Sequence, residues 1–415
     1  MSVIPMLSRL DLRSSSGIAL LAKVRETASP QIGAVADRLA RAFVVGSPFA
    51  PGFCCVGGEV SLDREQAIAH GVPHISVTGN GESLETALVS CLAEAADFVS
   101  QIERPGDVEA TGAPRALPIS VASGWVADLV SGAGRSIDWV AALDAATGAR
   151  ALLPADLCLR RSPEKRAFDF KGPLSSGAAA GANFDAAALR AVLELCERDA
   201  VMLWWYGGRR ASGFSMEHPA HKEAIALVER LRMGGAQRRT WLLDITNDIG
   251  VPVVTAVSVN SDGRGLACGF ASRLDMREAA RAAVLELCQM EMSAPLAEAK
   301  RLEAGDGALN DADRRHLRRA VFATSECDLL FPKGVSTLEA DAAAHDLEGL
   351  AIRLANRGIP LFLFNMTRAD VGVCVVRALS PALQPFTATV SSERLRRVQA
   401  QSGSQEEGTS RVSLM

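Results

Sequence analysis

The chain has 415 residues, of which 48% are hydrophobic and 22% charged, and its formal net charge is −4 at neutral pH. These values are typical of a globular protein with a large core, and they give no reason to expect binding to nucleic acid or to a membrane surface. No apolar run reaches the roughly 18 residues that predict a transmembrane helix, and the first residues lack the apolar core of a signal peptide.

The chain contains nine cysteines. Several of them lie inside apolar helical stretches, and none forms a CxxC pair, which argues against a zinc site. Small buried thiols are typical of a reducing compartment, so we expect a cytoplasmic protein.

The first 59 residues predict an N-terminal segment in which residues 31–45 form a helix and the chain then turns into a strand. A main domain is expected over residues 60–390, followed by a polar, flexible tail over residues 391–415. A Gly/Pro/Ala-rich stretch at residues 105–116 predicts a long loop inside the main domain.

Three stretches of the main domain share one design. Each has a group of glycines, at residues 79–81, 177–181 and 265–269, followed by a helical pattern with few helix breakers. Each helix carries a glutamate and, three positions later, a second acid or an amide. The pairs are Glu94 with Asp97, Glu194 with Glu197, and Glu286 with Gln289.

Residues three apart on a helix project from one face. Carboxylates in apolar surroundings are costly unless they are paired or bind a cation, and oxygen ligands favour Mg²⁺. Glycine-rich turns before helices offer backbone N–H groups to phosphate. The pattern therefore predicts one Mg²⁺-nucleotide site built from three glycine-turn–helix units. The alternative is three ordinary amphipathic helices whose glutamates face solvent.

The remaining patterns predict an α/β (α+β) fold, with mixed sheets covered by packed helices. Two strands are expected around a turn at residues 147–148, and two more, buried and β-branched, within residues 241–260. Helical patterns cover residues 222–232, 298–319 and 338–357, and the last strands are expected at residues 359–365 and 371–379.

Taken together, these stretches resemble the YcaO family over about residues 60–390. The residues that carry the resemblance are VTGNGESLETALVSCLAEAADF, SSGAAAGANFDAAALRAVLELCERDAVMLWW, LDITNDIGVPVVTAVS, GLACGFASRLDMREAARAAVLELCQME and GVCVVRALSPALQPF. The resemblance implies a YcaO-type fold. It also implies an ATP- and Mg²⁺-dependent enzyme that phosphorylates a backbone amide oxygen of a ribosomally made peptide, giving an azoline or a thioamide.

Carried over position by position, the resemblance implies roles for eight residues. Four glutamates would hold Mg²⁺ and serve catalysis: Glu94, Glu194, Glu197 and Glu286. Ser90, Ser176 and Gln289 would hydrogen-bond the nucleotide, and Arg377 would neutralise developing phosphate charge.

This chain departs from the family pattern at several positions. Asn80 stands where the family has a lysine, and Asp97-Phe98 where it has Glu-Arg. Ala186 replaces a glutamate, and Ser293 replaces an arginine. No proline follows Pro385, whereas many azoline-forming members end in a proline-rich tail.

The expected partners are a ribosomal precursor peptide and an E1-like or TfuA-like protein, and a homodimer is left open. Two alternatives to catalysis stay open as well. The chain could be a non-catalytic YcaO-like partner that binds peptide in a modifying complex, or an accessory factor in the methylthiolation of a ribosomal protein.

Overall fold

The structure is a computed structural model that describes residues 7–63, 66–67, 72–114, 123–132, 136–235, 238–336, 346–403 and 412–414. Its strands are β1 (Leu7–Arg9), β2 (Leu39–Val45), β3 (Cys54–Ser61), β4 (His74–Gly81), β5 (Ala110–Gly112), β6 (Ile137–Asp144), β7 (Arg150–Pro154), β8 (Ala178–Gly181), β9 (Arg238–Asp244), β10 (Val253–Asn260), β11 (Ala267–Ser272), β12 (Phe362–Asn365) and β13 (Cys374–Leu379). Its α-helices are α1 (Ser15–Thr27), α2 (Pro30–Ala34), α3 (Leu84–Gln101), α4 (Gly124–Gly132), α5 (Ala155–Cys158), α6 (Phe184–Trp205), α7 (Pro219–Arg232), α8 (Met276–Glu291), α9 (Ser293–Ala304), α10 (Asp311–Val321), α11 (Leu347–Asn356) and α12 (Glu393–Ser402).

The strands form separate antiparallel sheets. One sheet has the order β1-β2-β3-β4, a second has the order β11-β10-β9, and a third has the order β5-β6-β12-β13-β8 with β7 paired to β6. Helices pack on these sheets, as the α/β (α+β) prediction requires. The strands expected on either side of residues 147–148 and within residues 241–260 are confirmed as β6–β7 and β9–β10.

Three of the sheets' edge strands carry the three helices predicted to form the site. Strand β4 leads into α3, β8 into α6 and β11 into α8, and each helix packs on its own strand. Each helix also contacts the strand of another unit: α3 contacts β8, α6 contacts β11 and α8 contacts β4. The three strand–helix units therefore close a ring, and the ring brings together acidic residues that are about a hundred positions apart.

Each helix of the ring begins at a polar residue with extended backbone. Ser83 accepts from the backbone N–H of Thr86 in a reciprocal capping box. Asn183 and Asp275 accept from backbone N–H groups in the first turns of α6 and α8. Since such caps satisfy N–H groups that have no partner inside the helix, they define where α3, α6 and α8 start.

Only part of the predicted glycine turns is present. Gly177 and Gly265 lie in turns or bends with positive φ, whereas Gly79, Gly81, Gly181 and Gly269 lie in strands β4, β8 and β11. A Cβ on Gly79 would lie 2.0 Å from the backbone nitrogen of Cys91. A Cβ on Gly269 would lie 2.2 Å from the carbonyl oxygen of Ala283. The glycines are needed because each helix backbone lies directly on its strand, so close packing explains them better than a phosphate cradle does.

The N-terminal segment is part of the main fold. Residues 39–45 form strand β2 and not the end of a helix, because β2 pairs with both β1 and β3. Strand β3 runs through the boundary expected at residues 59–60. The segment therefore supplies three strands of the sheet that ends in β4.

Residues 391–403 also differ from the expected flexible tail. They contain α12, and Arg394 on this helix pairs with the fully buried Asp199 at 2.8 Å and with Asp248 at 2.6 Å. Further on, the carbonyl oxygen of Val412 accepts a hydrogen bond from the indole of Trp205 at 3.0 Å. The polar composition suggested disorder because it does not reveal that Arg394 has a buried carboxylate as its partner.

None of the helices in the described part of the chain is long and apolar enough to cross a membrane. All nine cysteines are free thiols.

Candidate functional site

A cleft of about 960 Å³ lies between α3, α6 and α8. Six of the residues predicted from the sequence line it together: Ser90, Glu94, Glu194, Glu197, Glu286 and Gln289. The ring of strand–helix units thus places these side chains around one space.

The first glutamates of the first and third units are held by their own strands. Oε2 of Glu94 accepts from the backbone N–H of Thr78 at 2.8 Å. Oε2 of Glu286 accepts from the backbone N–H of Phe270 at 2.9 Å, again sixteen residues upstream. Because the donors are backbone groups of strands, both carboxylates have fixed positions at the cleft wall.

The residue three positions later reaches another unit in two of the three cases. The carboxylate of Glu197 on α6 accepts from the backbone N–H of Ser272, at the end of β11, at 3.0 Å. Gln289 on α8 donates to Oγ1 of Thr78 at 3.0 Å and accepts from the amide of Asn80 at 2.5 Å, both on β4. The spacing of three residues therefore allows one helix to contact both its own unit and the neighbouring one.

Arg198 is the cation that accompanies this acidic cluster. Its guanidinium lies 3.4 Å from Glu194 and 3.1 Å from Glu197, and the ring of Phe386 covers it at 4.9 Å. Burial alone would lower the pKa of Arg198, but Glu197, Glu194 and Glu286 raise it above the ordinary arginine value. Arg198 therefore stays charged and partly compensates the carboxylates.

The carboxylates themselves hold protons unusually tightly. Burial, with a further contribution from Glu197, raises the pKa of Glu194 to about 7. Burial together with the charges of Glu197 and Glu194 raises the pKa of Glu286 to about 8. Such shifts arise when carboxylates crowd each other in a poorly solvated place, and a bound cation would relieve them.

The donor set fits a hard divalent cation. Carboxylate, hydroxyl and amide oxygens line the cleft, and the carboxylates repel one another. Within the residues that the structure describes, no three His, Cys, Asp or Glu side chains are already gathered as a metal site. This arrangement matches Mg²⁺, which binds through a few carboxylates plus substrate phosphates and not through a closed protein cage.

Ser176 and Arg377, the other two residues predicted from the sequence, do not line this cleft. Arg377 is only 3% exposed, and it donates to the carbonyl oxygen of Leu174. Ser176 and Arg377 line a separate small cavity beside Trp125 and Phe386. Arg377 lies on strand β13, between β12 and β8, and its side chain is buried against the face of this sheet.

Asp97 belongs to this buried layer behind the cleft. Its pKa is raised to about 7, mainly by burial and to a lesser extent by the charge of Glu194, while the hydrogen bond from Gln101 and the charges of Arg377 and Arg160 oppose the shift. Gln101 donates to Oδ2 of Asp97 at 3.0 Å, whereas Oδ1 has no hydrogen-bond partner among the described residues. Arg377 thus stabilises the charges of both Asp97 and Glu194, whereas these two carboxylates repel each other.

Three arginines line the cleft that are not among the residues predicted from the sequence: Arg190 on α6, Arg198 on α6 and Arg273 after β11. Arg198 could have been found, because it stands four positions after Glu194 and next to Glu197 on the same helix. Arg273 could not, since only the pairing of α6 with β11 brings it to the cleft.

Residues 78–384 match the family model described as YcaO cyclodehydratase, ATP- and Mg²⁺-binding. This match lies inside the expected domain of residues 60–390. An uncharacterized protein from Methanothermobacter thermautotrophicus is 26% identical over 333 residues, which are 77% of this chain and 84% of the relative.

Two solved structures share the fold. YcaO from Methanopyrus kandleri, bound with AMPPCP and Mg²⁺, superposes with a TM-score of 0.62 at 18% identity, over 88% of this chain and 91% of that one. A heterocyclase in complex with substrate and cofactor superposes with a TM-score of 0.65 at 20% identity, over 89% of this chain. The chain spans about half the length of that heterocyclase, 51%.

Proposed function

The chain belongs to the YcaO family, and from this premise we propose that it uses ATP and Mg²⁺ to activate a backbone amide of a ribosomally made peptide. The amide oxygen would take the terminal phosphoryl group, and ADP would leave. A nucleophile would then add to the amide carbon, and phosphate would leave with the former amide oxygen. The product is an azoline when a Cys, Ser or Thr side chain of the peptide attacks, and a thioamide when a sulfur donor attacks.

One observation carries this proposal. Glu194, Glu197 and Glu286 come from two different units, yet their charges act on one another and on Arg198. Keeping several carboxylates together in a poorly solvated cleft is unfavourable for a protein without a cation ligand. The arrangement is therefore better explained by metal binding than by solvent-facing helices.

Each cleft residue has a role in this proposal. Glu94, Glu194, Glu197 and Glu286 would hold Mg²⁺, and Ser90 and Gln289 would hydrogen-bond the nucleotide. Arg198 opposes the negative charge that develops on the phosphoryl group. Bound Mg-ATP supplies the phosphoryl group and the charge of the divalent ion.

Positioning is the main task of the protein residues in such a reaction, since phosphoryl transfer depends mostly on alignment and electrostatics. Hydrogen bonds from backbone N–H groups keep the carboxylates of Glu94, Glu197 and Glu286 in place. A reaction of this kind does not require a nucleophilic Ser-His-Asp or Cys-His set. Arg377 and Ser176 act behind the cleft, where Arg377 stabilises the charge of Glu194.

We choose azoline formation as the first product and thioamide formation as the second. We also infer a cytoplasmic location, because ATP and free thiols belong to that compartment. The peptide is delivered by a partner, for which an E1-like protein fits the azoline route and a TfuA-like protein fits the thioamide route.

The test is a reaction of the full chain with Mg²⁺, ATP and a short peptide encoded beside its gene, together with any partner encoded there. The backbone amide oxygen of the peptide carries a heavy-oxygen label. The proposal expects the label in the released phosphate and, in the peptide, the loss of water or the exchange of oxygen for sulfur. Unlabelled phosphate or an unchanged peptide would contradict it.

One observation favours the second candidate, a non-catalytic YcaO-like partner that binds the peptide. Asn80 is neutral and engages Gln289, at a place where the family resemblance expects a lysine. A partner of this kind would hold the peptide without consuming ATP. In the labelled reaction it would leave ATP intact and would still bind the peptide in a pull-down.

A further inference from the structure

Two arginines on different units face the same cleft. Arg190 lies on α6, and Arg273 follows β11 directly. Both line the cleft alongside the glutamates. The side-chain hydrogen bonds of Glu94, Glu197, Glu286 and Gln289 described above do not involve either arginine side chain.

Each of these arginines is held by a backbone carbonyl oxygen. Arg190 donates through Nη1 to Ala180 at 3.2 Å, and Arg273 donates through Nη1 to Ser272 at 2.7 Å. A guanidinium has five N–H donors, so a single bond of this type orients it and leaves donors for a ligand. Each guanidinium is therefore oriented by one hydrogen bond through its Nη1 atom.

Neither arginine forms an ion pair with a carboxylate within 4.0 Å among the described residues. Other cations around the cleft behave differently: Arg198 pairs with Glu194, and both Arg230 and Arg281 pair with Glu82. Burial and the charge of Arg273 lower the pKa of Arg190, so the two cations repel each other. Both residues are nevertheless exposed to solvent in the cleft, so their remaining N–H donors are open to an anion there.

The position of Arg273 indicates which anion this is. Ser272, its neighbour in the chain, holds Glu197 by a backbone hydrogen bond, and the charge of Arg273 lowers the pKa of Glu197. An anion at the arginines therefore lies close to the carboxylates and would be repelled by them unless it shared a cation with them. Phosphate oxygens bound to a divalent cation satisfy both conditions, and guanidinium groups match phosphate with paired hydrogen bonds.

We propose that Arg190 and Arg273 together bind the phosphate tail of a nucleoside triphosphate in the cleft, as a clamp formed by two guanidinium groups. This proposal rests on the proposed function, because it assumes that the glutamates hold a nucleotide-bound Mg²⁺. The clamp would add positive charge at the phosphates beside the carboxylates. It would also join the second and third units, because Arg190 lies on α6 and Arg273 follows β11.

The test is a calorimetric titration of the full chain with ATP, ADP and AMP, each with Mg²⁺. The variants are Arg190→Gln, Arg273→Gln and the double variant. Arg277→Gln, on the exposed start of α8, is the matched control. Since each arginine makes charge-assisted hydrogen bonds to phosphate, each single variant should bind ATP about tenfold or more weakly. AMP affinity and the control should be unchanged.

Thermal unfolding without nucleotide accompanies the titration. Removing one of two repelling cations should leave the melting temperature unchanged or raise it, which separates lost binding from lost folding. Arg190→Lys keeps the positive charge but loses the paired N–H donors of the guanidinium. Its ATP affinity should lie between those of the wild type and Arg190→Gln.

The outcomes distinguish the two proposals. If the wild type binds no nucleotide, both the clamp and the proposed function fail. If the wild type binds ATP and the Gln variants bind it equally well, the clamp alone fails, and Arg273 is only a counter-charge for Glu197. Equal losses for ATP and AMP would also overturn the clamp, because the arginines would then contact the part that both ligands share, which is the nucleoside and its first phosphate, and not the phosphate tail.

Discussion

The side-chain amide of Asn80 donates a hydrogen bond to Oε1 of Gln289 at 2.5 Å. The amide nitrogen of Gln289 donates in turn to Oγ1 of Thr78 at 3.0 Å. These two bonds join α8 of the third unit to β4 of the first unit. They therefore close the ring that surrounds the cleft.

Gln289→Leu should loosen this closure. It removes two hydrogen bonds and leaves Asn80 without its acceptor, so we expect a loss of about 2 kcal/mol in the free energy of unfolding. Urea unfolding measures it, and a double-mutant cycle with Asn80→Ala tests the pair. The double variant should lose clearly less than the sum of the single losses. Strictly additive losses would show that the bond does not couple the two units.

Arg198→Met should leave the acidic cluster without its internal cation. Because removing one partner of a buried ion pair is strongly destabilising, we expect a loss of about 3–5 kcal/mol in the absence of metal. Mg²⁺ should recover part of this loss, since it can replace the missing charge. Melting temperatures with and without Mg²⁺ measure the effect. A variant as stable as the wild type without metal would contradict the role given to Arg198.

Stability without metal should fall as the pH rises. The pKa of Glu286 is raised from 4.5 to about 8 in the folded chain, so the folded state holds this proton where the unfolded state has lost it. The stability that this proton contributes is complete below pH 4.5 and is lost as the pH rises through the folded pKa of about 8. The pH dependence of unfolding should be weaker in Glu286→Gln. A wild-type chain that becomes more stable over this range would argue against crowded carboxylates.

Gly269→Ala should displace α8 from its strand. The added Cβ would meet the carbonyl oxygen of Ala283 and the backbone nitrogen of Leu287 at 2.2 Å each, and backbone atoms cannot turn away as a flexible side chain can. Overpacking of this kind costs about 1–3 kcal/mol. Gly307→Ala is the matched control, because its Cβ would meet nothing within 4 Å. Equal stability of the two variants would mean that α8 does not need its close contact with β11.

Much of the architecture was predictable because its signals are local. The helical pattern from residue 184 onward has a period of about 3.6 residues, and the β-branched run around β10 has the composition of a buried strand; the sequence displays both directly. The repeated pair of acid and acid or amide was likewise visible as spacing. The contacts of these pairs with a neighbouring unit could not be predicted. Gln289, for example, contacts β4, and this strand lies some two hundred residues earlier in the chain.

The errors have physical causes as well. The glycines were assigned to turns because glycine is frequent there, whereas Gly79 and Gly269 allow a helix to lie on a strand. Residues 39–45 were assigned to a helix because strand pairing is non-local. The family resemblance implies a phosphate contact for Arg377, and this stays a prediction, since the side chain is buried and lines a neighbouring cavity.

The most direct test of the central claim is a calorimetric titration of ATP into the wild-type chain and into Glu194→Gln, with and without Mg²⁺. Glu348→Gln, on α11 away from the cleft, is the control. The account predicts binding that requires Mg²⁺, is unchanged in the control, and is weakened about tenfold or more by Glu194→Gln, since one ligand of the metal is lost. ATP binding that is independent of Mg²⁺ or unaffected by Glu194→Gln would contradict it.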